Sequence, residues 1–344
     1  MVERMVQASP TRASVLLADI GGTHARFALG DPSAARPLLD HSIVVFPVDR
    51  FPSLADAARH YLRERPATAR VRGVVAAVAG PVREGEARMT NHPWVVSERR
   101  IGEALELGDV ALVNDFVAQA MAMRQLGDAD VAPVGGPFPV PAPGRDATAV
   151  VLGAGTGLGV GVLVRREGRW TALATEAGHV GFAPGTAEEV AVLERLSRDY
   201  GRVSNERLAS GAGLVNLHRA LADIDGEASR SPQPALRPED VTAGAAAGDA
   251  RCVRALALFC AVFGAIAGDL VLAYGAWDGA WLGGGLAPLL LPALQRSAFR
   301  ERFEDKGRHA AAMRAVPTFA VLHPQPGLLG AAVIAADRAA ADAR

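Results

Sequence analysis

Residues 15–30 read V-L-L-A-D-I-G-G-T-H-A-R-F-A-L-G, and residues 150–164 read V-V-L-G-A-G-T-G-L-G-V-G-V-L-V. In each segment an apolar run meets a glycine-rich turn and a second apolar run follows, which predicts two strands joined by a tight turn. A third predicted strand follows each pair, Ser42–Phe46 in the first and Trp170–Ala174 in the second. Because the unit occurs twice, it predicts two matching lobes whose glycine turns face one cleft.

Outside these two units, predicted strands alternate with predicted helices, which is typical of the α/β class. The elements are a helix capped by Ser53 and ending at Arg65, a strand over Val71–Ala79, a helix capped by Ser97, a strand over Val110–Val113, a helix to about Leu126, a helix over Ala187–Tyr200, strands over Ala280–Leu282 and Pro317–Leu322, and a helix over Gly327–Ala341. The last helix is predicted to pack on the first lobe.

The segment Gly127–Asp146 is rich in proline and glycine and has no clear period, so we interpret it as a connection between the lobes. We therefore predict a smaller α/β lobe from residues 1–126 with about 315–344, and a larger α/β lobe from residues 127–314.

Composition narrows the choice of partners and compartment. The 344 residues include 36 basic and 37 acidic side chains, a balance that gives no reason to expect nucleic acid or an anionic membrane as partner. Met1–Arg12 lacks the apolar stretch of a signal peptide. The apolar run Ala255–Ala276 is interrupted by Asp269, which favours a buried core helix over a membrane span.

The chain has two cysteines, Cys252 and Cys260, in one alanine-rich run. At a helical rise of roughly 1.5 Å per residue they lie too far apart for a disulfide. We expect both to be reduced thiols in a cytoplasmic protein.

The first glycine turn, Asp19-Ile20-Gly21-Gly22-Thr23, is a candidate phosphate site. Successive glycines expose backbone N–H groups and tolerate positive φ, as in the nests that bind phosphate. Asp19 could hold a hydrated Mg²⁺, because Mg²⁺ favours carboxylate oxygen. A plain hairpin turn is the alternative.

The second glycine turn, Gly153–Gly159, suggests at first a dinucleotide fold. A Rossmann site needs a helix directly after the turn and an acid about 20 residues later. Here the β-like run Val160–Val164 follows instead. We therefore reject NAD and favour a strand–turn–strand phosphate clamp.

Three further groups carry polar chemistry. Asn114 and Asp115 end a predicted buried strand, where a carboxylate can accept a proton from a hydroxyl group, although a helix N-cap explains the pair equally well. Glu176 and His179 offer hydrogen-bonding groups close together, and no nearby Cys or His completes a metal site with them. Glu206 stands in V-S-N-E-R, where a solvated helix face is the alternative.

Taken together, these motifs resemble those of the bacterial glucokinases, which belong to the hexokinase and actin-like ATPase superfamily. The resemblance runs from about Val15 to Gly330. The matching segments, in chain order, are M-T-N-H-P-W at Met89–Trp94, L-V-N-D-F at Leu112–Phe116, G-A-G-T-G-L-G at Gly153–Gly159, E-A-G-H-V at Glu176–Val180, V-S-N-E-R at Val203–Arg207, G-L-V-N-L at Gly213–Leu217, F-E-D-K-G-R at Phe303–Arg308 and P-G-L-L-G at Pro326–Gly330.

The resemblance implies an α/β, two-lobed actin-like ATPase (ribonuclease H-like) fold with a central cleft. It also implies an ATP-dependent kinase that phosphorylates the 6-hydroxyl of glucose, giving glucose 6-phosphate and ADP for glycolysis, with Mg²⁺ as cofactor. Asp115 would be the general base, and the sugar ligands would be Asn114, Asp115, Glu176, His179 and Glu206. The ATP-binding residues would be Ala18, Asp19, Ile20, Gly21, Gly22, Thr23, Gly155, Thr156, Gly157, Gly283, Gly284 and Gly285, with Asp19 also a Mg²⁺ ligand directly or through water.

Three positions depart from the family's usual pattern: His24 replaces a common Asn, Ala177 a Gly and Gly181 a common Asp. The zinc-binding Cys cluster of the related repressor-and-kinase family is absent from the sequence. We expect a homodimer with glucose and ATP as ligands and no nucleic acid or membrane partner. The alternatives are a kinase for another hexose, and a non-enzymatic actin-like ATPase or sugar sensor.

Overall fold

The computed structural model describes residues 14–65, 71–89, 92–136, 145–226 and 236–343. Contacts within the chain divide it into two compact units, Met1–Gln125 with Pro324–Arg344, and Leu126–His323. The segment Met1–Arg12 and the residues Thr90 and Asn91 of the M-T-N-H-P-W motif lie outside the described residues.

The first unit contains eight of the described strands and three helices before the chain leaves it. They are β1 (Ser14–Ile20), β2 (His24–Gly30), β3 (Leu38–Pro47), a 3₁₀ turn (Val48–Arg50), α1 (Leu54–Arg63), β4 (Val71–Val78), β5 (Val82–Arg83), β6 (Glu86–Arg88), β7 (Val95–Ser97), α2 (Glu98–Leu105), β8 (Asp109–Asn114) and α3 (Asp115–Ala122). The main sheet has the order β3-β2-β1-β4-β8, and β5-β6-β7 form a small second sheet. Leu16, Ile20, Phe27 and Tyr61 are fully buried in its core.

The second unit is built on a six-stranded sheet packed with longer helices. Its elements are a 3₁₀ turn (Asp128–Asp130), β9 (Val131–Pro133), β10 (Ala147–Ala154), β11 (Leu158–Arg166), β12 (Arg169–Thr175), a 3₁₀ turn (Ala177–His179), α4 (Ala187–Tyr200), a 3₁₀ turn (Asn205–Arg207), α5 (Gly211–Ile224), α6 (Pro238–Ala246), α7 (Ala250–Tyr274), β13 (Ala280–Gly283), α8 (Leu286–Arg296), α9 (Phe299–Glu304), a 3₁₀ turn (Gly307–His309), α10 (Ala310–Met313) and β14 (Thr318–Val321). The sheet order is β12-β11-β10-β13-β14-β9.

The two sheets repeat one connectivity. In each, the third, second and first strands form an antiparallel meander, and two later strands add in parallel beside the first. The second sheet differs by one extra edge strand, β9, which pairs antiparallel with β14. The repeated strand–turn–strand–strand unit predicted from the sequence is thus confirmed.

Helix α7 forms the centre of the second unit. Phe259 and Phe263 on α7 are buried, and Phe263 makes an edge-on contact with Phe299 at 5.9 Å between ring centroids. Among the described residues, α7 is the one helix long and apolar enough to cross a membrane, but 72% of its most apolar stretch is buried inside the protein. This burial agrees with the interpretation of residues 255–276 as a core helix.

The final helix, α11 (Pro326–Asp342), belongs to the first unit. It packs along α3 so closely that a Cβ atom at Gly330 would lie 1.7 Å from the carbonyl oxygen of Ala118. Ion pairs between Arg338 and Asp109 and between Arg124 and Asp337 add to this packing. The predicted return of the last helix to the first lobe is confirmed.

Two predictions about the lobe boundaries need correction. The segment Gly127–Asp146 is more than a connection, because Val131–Pro133 forms strand β9; residues 137–144 lie outside the described part. The strand predicted at Pro317–Leu322 belongs to the second unit and not to the smaller lobe, because Thr318–Val321 pairs with β13 and β9. The chain re-enters the first unit at Pro324.

The helix predictions differ from the structure mainly at their ends. Ser53 caps α1 by accepting a hydrogen bond from the backbone N–H of Asp56 at 3.1 Å, but the helix ends at Arg63 and not at Arg65. The α-helix after Asp115 ends at Ala122, short of the predicted Leu126. The helix predicted over Ala187–Tyr200 has those bounds in the structure.

The close contact of α11 with α3 gives a first prediction. Gly330→Ala places a methyl group against a backbone carbonyl, which no side-chain rotation can relieve, so we expect it to lower the free energy of unfolding by about 1–3 kcal/mol. This loss would appear despite the better helix propensity of alanine. Denaturant unfolding followed by circular dichroism measures it.

Gly108→Ala is the matched control, because no atom lies within 4 Å of a Cβ at that exposed position. We expect its free energy of unfolding to stay within about 0.5 kcal/mol of the wild type. Equal stability of the two variants would contradict the packing argument.

Candidate active site

In the first unit, the predicted site residues lie at one edge of the sheet. Strands β1, β4 and β8 run parallel, and their register places Ile20 beside Val78 and Val78 beside Asn114. The carboxyl ends of these strands are therefore level with one another. In open α/β sheets this edge is where ligands bind.

The turn Gly21–Thr23 joins β1 to β2 as a tight hairpin. The N–H of Gly21 donates to the carbonyl of His24 at 3.0 Å, and the N–H of Val48 donates to the carbonyl of Thr23 at 3.1 Å. The Thr23 hydroxyl lies 3.0 Å from Nδ1 of His24, the residue that departs from the family pattern. Neither Gly21 nor Gly22 has a positive φ, so the conformational freedom expected of a phosphate nest is not used here.

Asp19, the last polar residue of β1, lies in a confined position. A Cβ atom at Gly327, in the first turn of α11, would lie 2.6 Å from the Asp19 carboxylate. Burial raises the pKa of Asp19 above its usual value, and the guanidinium of Arg26, 3.7 Å away, opposes that rise. Desolvation therefore disfavours the ionised carboxylate, and the ion pair with Arg26 offsets only part of this cost.

Sequence reasoning missed both Arg26 and Gly327 as neighbours of Asp19. Arg26 had a usable signal: closing a hairpin at Gly21–Thr23 makes Asp19 and Arg26 direct cross-strand partners, as observed. Gly327 had none, because its approach depends on how α11 packs.

Asn114 is the N-cap of α3. Its side-chain oxygen accepts hydrogen bonds from the N–H groups of Phe116 and Val117, at 2.9 and 3.3 Å, and its amide nitrogen donates to the carbonyl of Gly80 at 3.1 Å. The helix-cap alternative is thus correct for Asn114. One N–H of its amide group is left to donate elsewhere, because an amide nitrogen carries two hydrogens.

Asp115 is the first residue of α3 and is partly exposed. Its Oδ1 accepts a hydrogen bond from the N–H of Phe116 at 3.0 Å. The strand end and the capped helix start therefore fix the position of this carboxylate from both sides.

In the second unit, the turn Gly155–Gly157 joins β10 to β11. The N–H of Gly155 donates to the carbonyl of Gly157 at 2.9 Å, and the N–H of Gly211, at the start of α5, donates to the carbonyl of Gly155 at 2.8 Å. Strand β11 follows directly, so the prediction of a strand rather than a helix after this turn is confirmed.

The triple glycine Gly283–Gly285 ends β13 beside this turn. Gly283 pairs with Gly153, and Gly284 has a φ of +77°. A Cβ atom at Gly284 would lie 2.4 Å from the carbonyl oxygen of Ala154. Within the described site, Gly284 is the glycine that uses a positive φ, and it also provides a close approach to the second glycine turn.

Glu176, His179 and Glu206 lie together in the second unit. Nε2 of His179 is 3.9 Å from Oε2 of Glu176, and Nδ1 of His179 is 4.0 Å from Oε1 of Glu206. Glu176 and His179 are largely exposed, whereas the side chain of Glu206 is 29% exposed. Oε2 of Glu206 accepts a hydrogen bond from the N–H of Leu158 at 3.0 Å, so the solvated-face alternative is wrong.

A different group of potential metal ligands occurs on α5 and α7. Among the described residues, His218, Asp249 and Cys252 have ligand atoms within 4.8 Å of one another. Asp249 caps α7 by accepting a hydrogen bond from the N–H of Cys252 at 2.9 Å. Burial is the main cause that raises the pKa of the Cys252 thiol, and the hydrogen bond and charge of Asp249 raise it further. A protonated thiol beside a helix-capping carboxylate accounts for this group without a metal.

Both cysteines are free and lie on one helix, α7, as predicted, and both are buried. Burial raises the pKa of Cys260 to about 11, and a hydrogen bond with Ser297 opposes the rise. The thiolate, which is the reactive form, is therefore scarce at neutral pH.

Comparisons with known proteins identify the family of the chain. The family model described as "Glucokinase" matches residues 16–338. The curated glucokinase of Xylella fastidiosa (strain M12) is 54% identical over 95% of this chain and 96% of its own length, and that of Xanthomonas campestris pv. campestris (strain B100) is 56% identical over 94% and 95%. The solved glucokinase from an Antarctic psychrotroph is 33% identical, with a TM-score of 0.82 over 94% of this chain and 99% of its own. The chain has the α/β actin-like ATPase fold and belongs to the glucokinase family of ATP-dependent hexose kinases.

Proposed function

We propose that this protein is a cytoplasmic glucokinase that transfers the γ-phosphoryl group of ATP to the 6-hydroxyl of glucose. The products are glucose 6-phosphate and ADP, which place the enzyme at the entry to glycolysis. The observation that carries the proposal is the match to the glucokinase family over residues 16–338, nearly the whole chain. A homodimer without nucleic acid or membrane partners is part of the same proposal.

Asp115 is the general base of this mechanism. It directly follows β8 as the first residue of α3, its Oδ1 accepts a hydrogen bond from the Phe116 N–H, and it is partly exposed. In phosphoryl transfer, such a carboxylate orients the attacking hydroxyl and accepts its proton. Beside it, Asn114 donates a hydrogen bond to the sugar. It uses the second hydrogen of its amide group, because the first donates to the Gly80 carbonyl and the cap uses only the amide oxygen.

The hydroxyl groups on the anomeric side of the sugar are hydrogen-bonded by Glu176, His179 and Glu206. The group combines two carboxylate acceptors with an imidazole that donates from one nitrogen and accepts at the other. Their mutual distances of 3.9 and 4.0 Å leave no direct hydrogen bond between them, so each has polar capacity for a ligand hydroxyl.

ATP is bound by backbone groups at the three glycine segments. Ala18–Thr23 and Gly155–Gly157 hold the phosphates, and Gly283–Gly285 lies near the adenosine. The N–H groups of Gly21 and Gly155 donate within the turns, so the phosphate oxygens would accept from other N–H groups of these segments.

Asp19 fits a magnesium ion held through water. One carboxylate is the protein contribution typical of Mg²⁺ sites in which phosphates and waters complete the shell. The neighbouring Arg26 occupies one side of this carboxylate, which favours a water-mediated contact over direct ligation. When bound, Mg²⁺ neutralises charge on the transferred phosphoryl group.

In this proposal the sugar ligands come from both units. Asn114 and Asp115 belong to one unit, and Glu176, His179 and Glu206 belong to the other.

A coupled assay with ATP and a panel of glucose, mannose and fructose tests the function. Glucose should give the highest kcat/KM. Preference for another hexose would favour the first alternative, and hexose binding without turnover would favour the sugar sensor.

The role of Asp115 predicts a large loss of turnover in Asp115→Asn. Asn keeps the shape but cannot accept the proton, and a positioned base contributes about 10²–10⁴-fold. We expect kcat to fall by that factor while calorimetry still detects glucose binding. Asp342→Asn, at the exposed end of α11, removes the same charge and should keep wild-type kcat; a near-normal kcat in Asp115→Asn would remove this residue from the role.

The role of Glu176 predicts a change in specificity. Glu176→Gln should raise the KM for glucose roughly tenfold or more and narrow the difference between hexoses, because a site built around a hydroxyl loses its charged partner. Glu301→Gln, on the exposed face of α9, is the control. An unchanged KM together with the same hexose ranking would disprove the assignment.

Replacing Asp19 by Asn should raise the stability of the fold and lower the kinase activity. Because its folded pKa is raised, ionisation of Asp19 disfavours the folded state, a cost that is complete above the folded pKa and fades as the pH falls toward the usual value of 3.8. Asp19→Asn should therefore melt at a higher temperature than the wild type at pH 7.5, by a margin that narrows as the pH is lowered toward 3.8, while losing most kinase activity. A variant that melts lower at pH 7.5 would show that the Arg26 ion pair outweighs burial.

A further inference from the structure

One carboxylate in the second unit contacts two segments with different proposed roles. Oε2 of Glu206 accepts the N–H of Leu158, the first residue of β11, directly after the turn Gly155–Gly157. Oε1 of the same group lies 4.0 Å from Nδ1 of His179, on the sugar side. Glu206 therefore lies between the phosphate turn and the sugar ligands.

Gly157 makes this contact possible. A Cβ atom there would lie 2.4 Å from Oε2 of Glu206, whereas a Cβ at Gly155, two residues earlier, would meet no atom within 4 Å. The φ of Gly157 is not positive, so conformational freedom is not the reason for a glycine at this position. The missing side chain provides the space that the carboxylate occupies.

A second glycine joins the sugar-binding segment to the same residue of the turn. Gly178 stands between Glu176 and His179, and a Cβ atom there would lie 1.9 Å from the carbonyl oxygen of Leu158. Leu158 is thus bound at its N–H by Glu206 and contacted at its carbonyl by the backbone of the segment that carries His179. The positions of the phosphate turn and the sugar ligands depend on each other.

We propose that Glu206 is a positioning residue for the phosphate turn as well as a sugar ligand, and that it couples the two binding sites. The inference rests on the proposed function. A sugar hydroxyl bound at Oε1 fixes the carboxylate, and Oε2 then holds the Leu158 N–H and with it the turn Gly155–Gly157. By linkage, a nucleotide that fixes the turn must raise the affinity for sugar by the same factor.

This coupling operates within one unit. Glu206, His179, Gly178 and the turn all belong to Leu126–His323. It therefore predicts an effect on nucleotide binding when no sugar is present.

The test measures the dissociation constant of Mg²⁺ with a non-hydrolysable ATP analogue in the absence of sugar. Glu206→Ala should weaken binding about tenfold, because a hydrogen bond to a charged group that positions the turn is lost. Glu206→Gln should restore most of the affinity, since its amide oxygen can still accept from the Leu158 N–H. His179→Ala is the matched control: it removes a sugar-side group, so glucose affinity should fall while sugar-free nucleotide affinity stays at the wild-type value.

A second experiment measures how changes in the turn Gly155–Gly157 affect the affinity for glucose. Gly157→Ala displaces the Glu206 carboxylate, so glucose affinity without nucleotide should fall at least severalfold although Gly157 is not a sugar ligand. Gly155→Ala adds the same methyl group in open space and should leave nucleotide-free glucose affinity unchanged. Thermal unfolding of each variant checks that it is folded.

Hydrogen exchange of the Leu158 amide gives a readout that needs no ligand. Exchange should accelerate in Glu206→Ala and remain slow in Glu206→Gln and His179→Ala. Unchanged exchange and unchanged nucleotide affinity in Glu206→Ala would overturn the coupling, as would an equal loss of nucleotide affinity in His179→Ala. Absence of hexose phosphorylation by the wild type would instead refute the proposed function, and the exchange result would still decide whether Glu206 holds the turn.

Discussion

Both sheets depend on one backbone constraint: the first strand of each hairpin is also paired in parallel with a strand from later in the chain. β1 pairs with β4, and β10 pairs with β13. Because parallel strands share a direction, their carboxyl ends lie at the same sheet edge as the hairpin turn. In this register Ile20 pairs with Val78 of β4, which pairs with Asn114 of β8, so Ile20 and Asn114 lie at the same height in the sheet. In the second sheet Gly153 pairs with Gly283. The candidate site follows from the strand register before any side chain contributes.

The glycines of the site act mainly by the space they leave. Gly157 admits a carboxylate, Gly178 admits the Leu158 carbonyl and Gly327 admits the Asp19 carboxylate, each at a distance that a Cβ atom would not allow. Only Gly284 among the site glycines described here combines close approach with a positive φ. A sequence motif rich in glycine therefore reports close packing around polar groups at least as much as a special backbone conformation.

What the sequence could predict was set by local signals. The bounds of the helix over Ala187–Tyr200 follow from a capping Thr186 and an apolar stripe, and the strands beside the glycine turns follow from their apolar runs. The three-residue strand β9 could not be found, because it is defined only by a partner near the other end of the chain. In the site, the residue types and their sheet edge were predictable. The contact of Glu206 with Leu158 was not, because the two residues are 48 positions apart and no local sequence pattern indicates that they meet.

The proposed functional groups also hold the structure in place. Asn114 caps α3, Glu206 binds the N–H after the phosphate turn, and Asp19 sits against the start of α11. A side chain with such a structural contact has few rotamers open to it, so it loses little entropy when a ligand binds. The cost differs among the three: Asn114 and Glu206 satisfy backbone donors, whereas the partly buried Asp19 has one incomplete ion pair. A cation bound at the proposed site would lower this cost at Asp19, since a nearby positive charge favours the ionised carboxylate that burial disfavours.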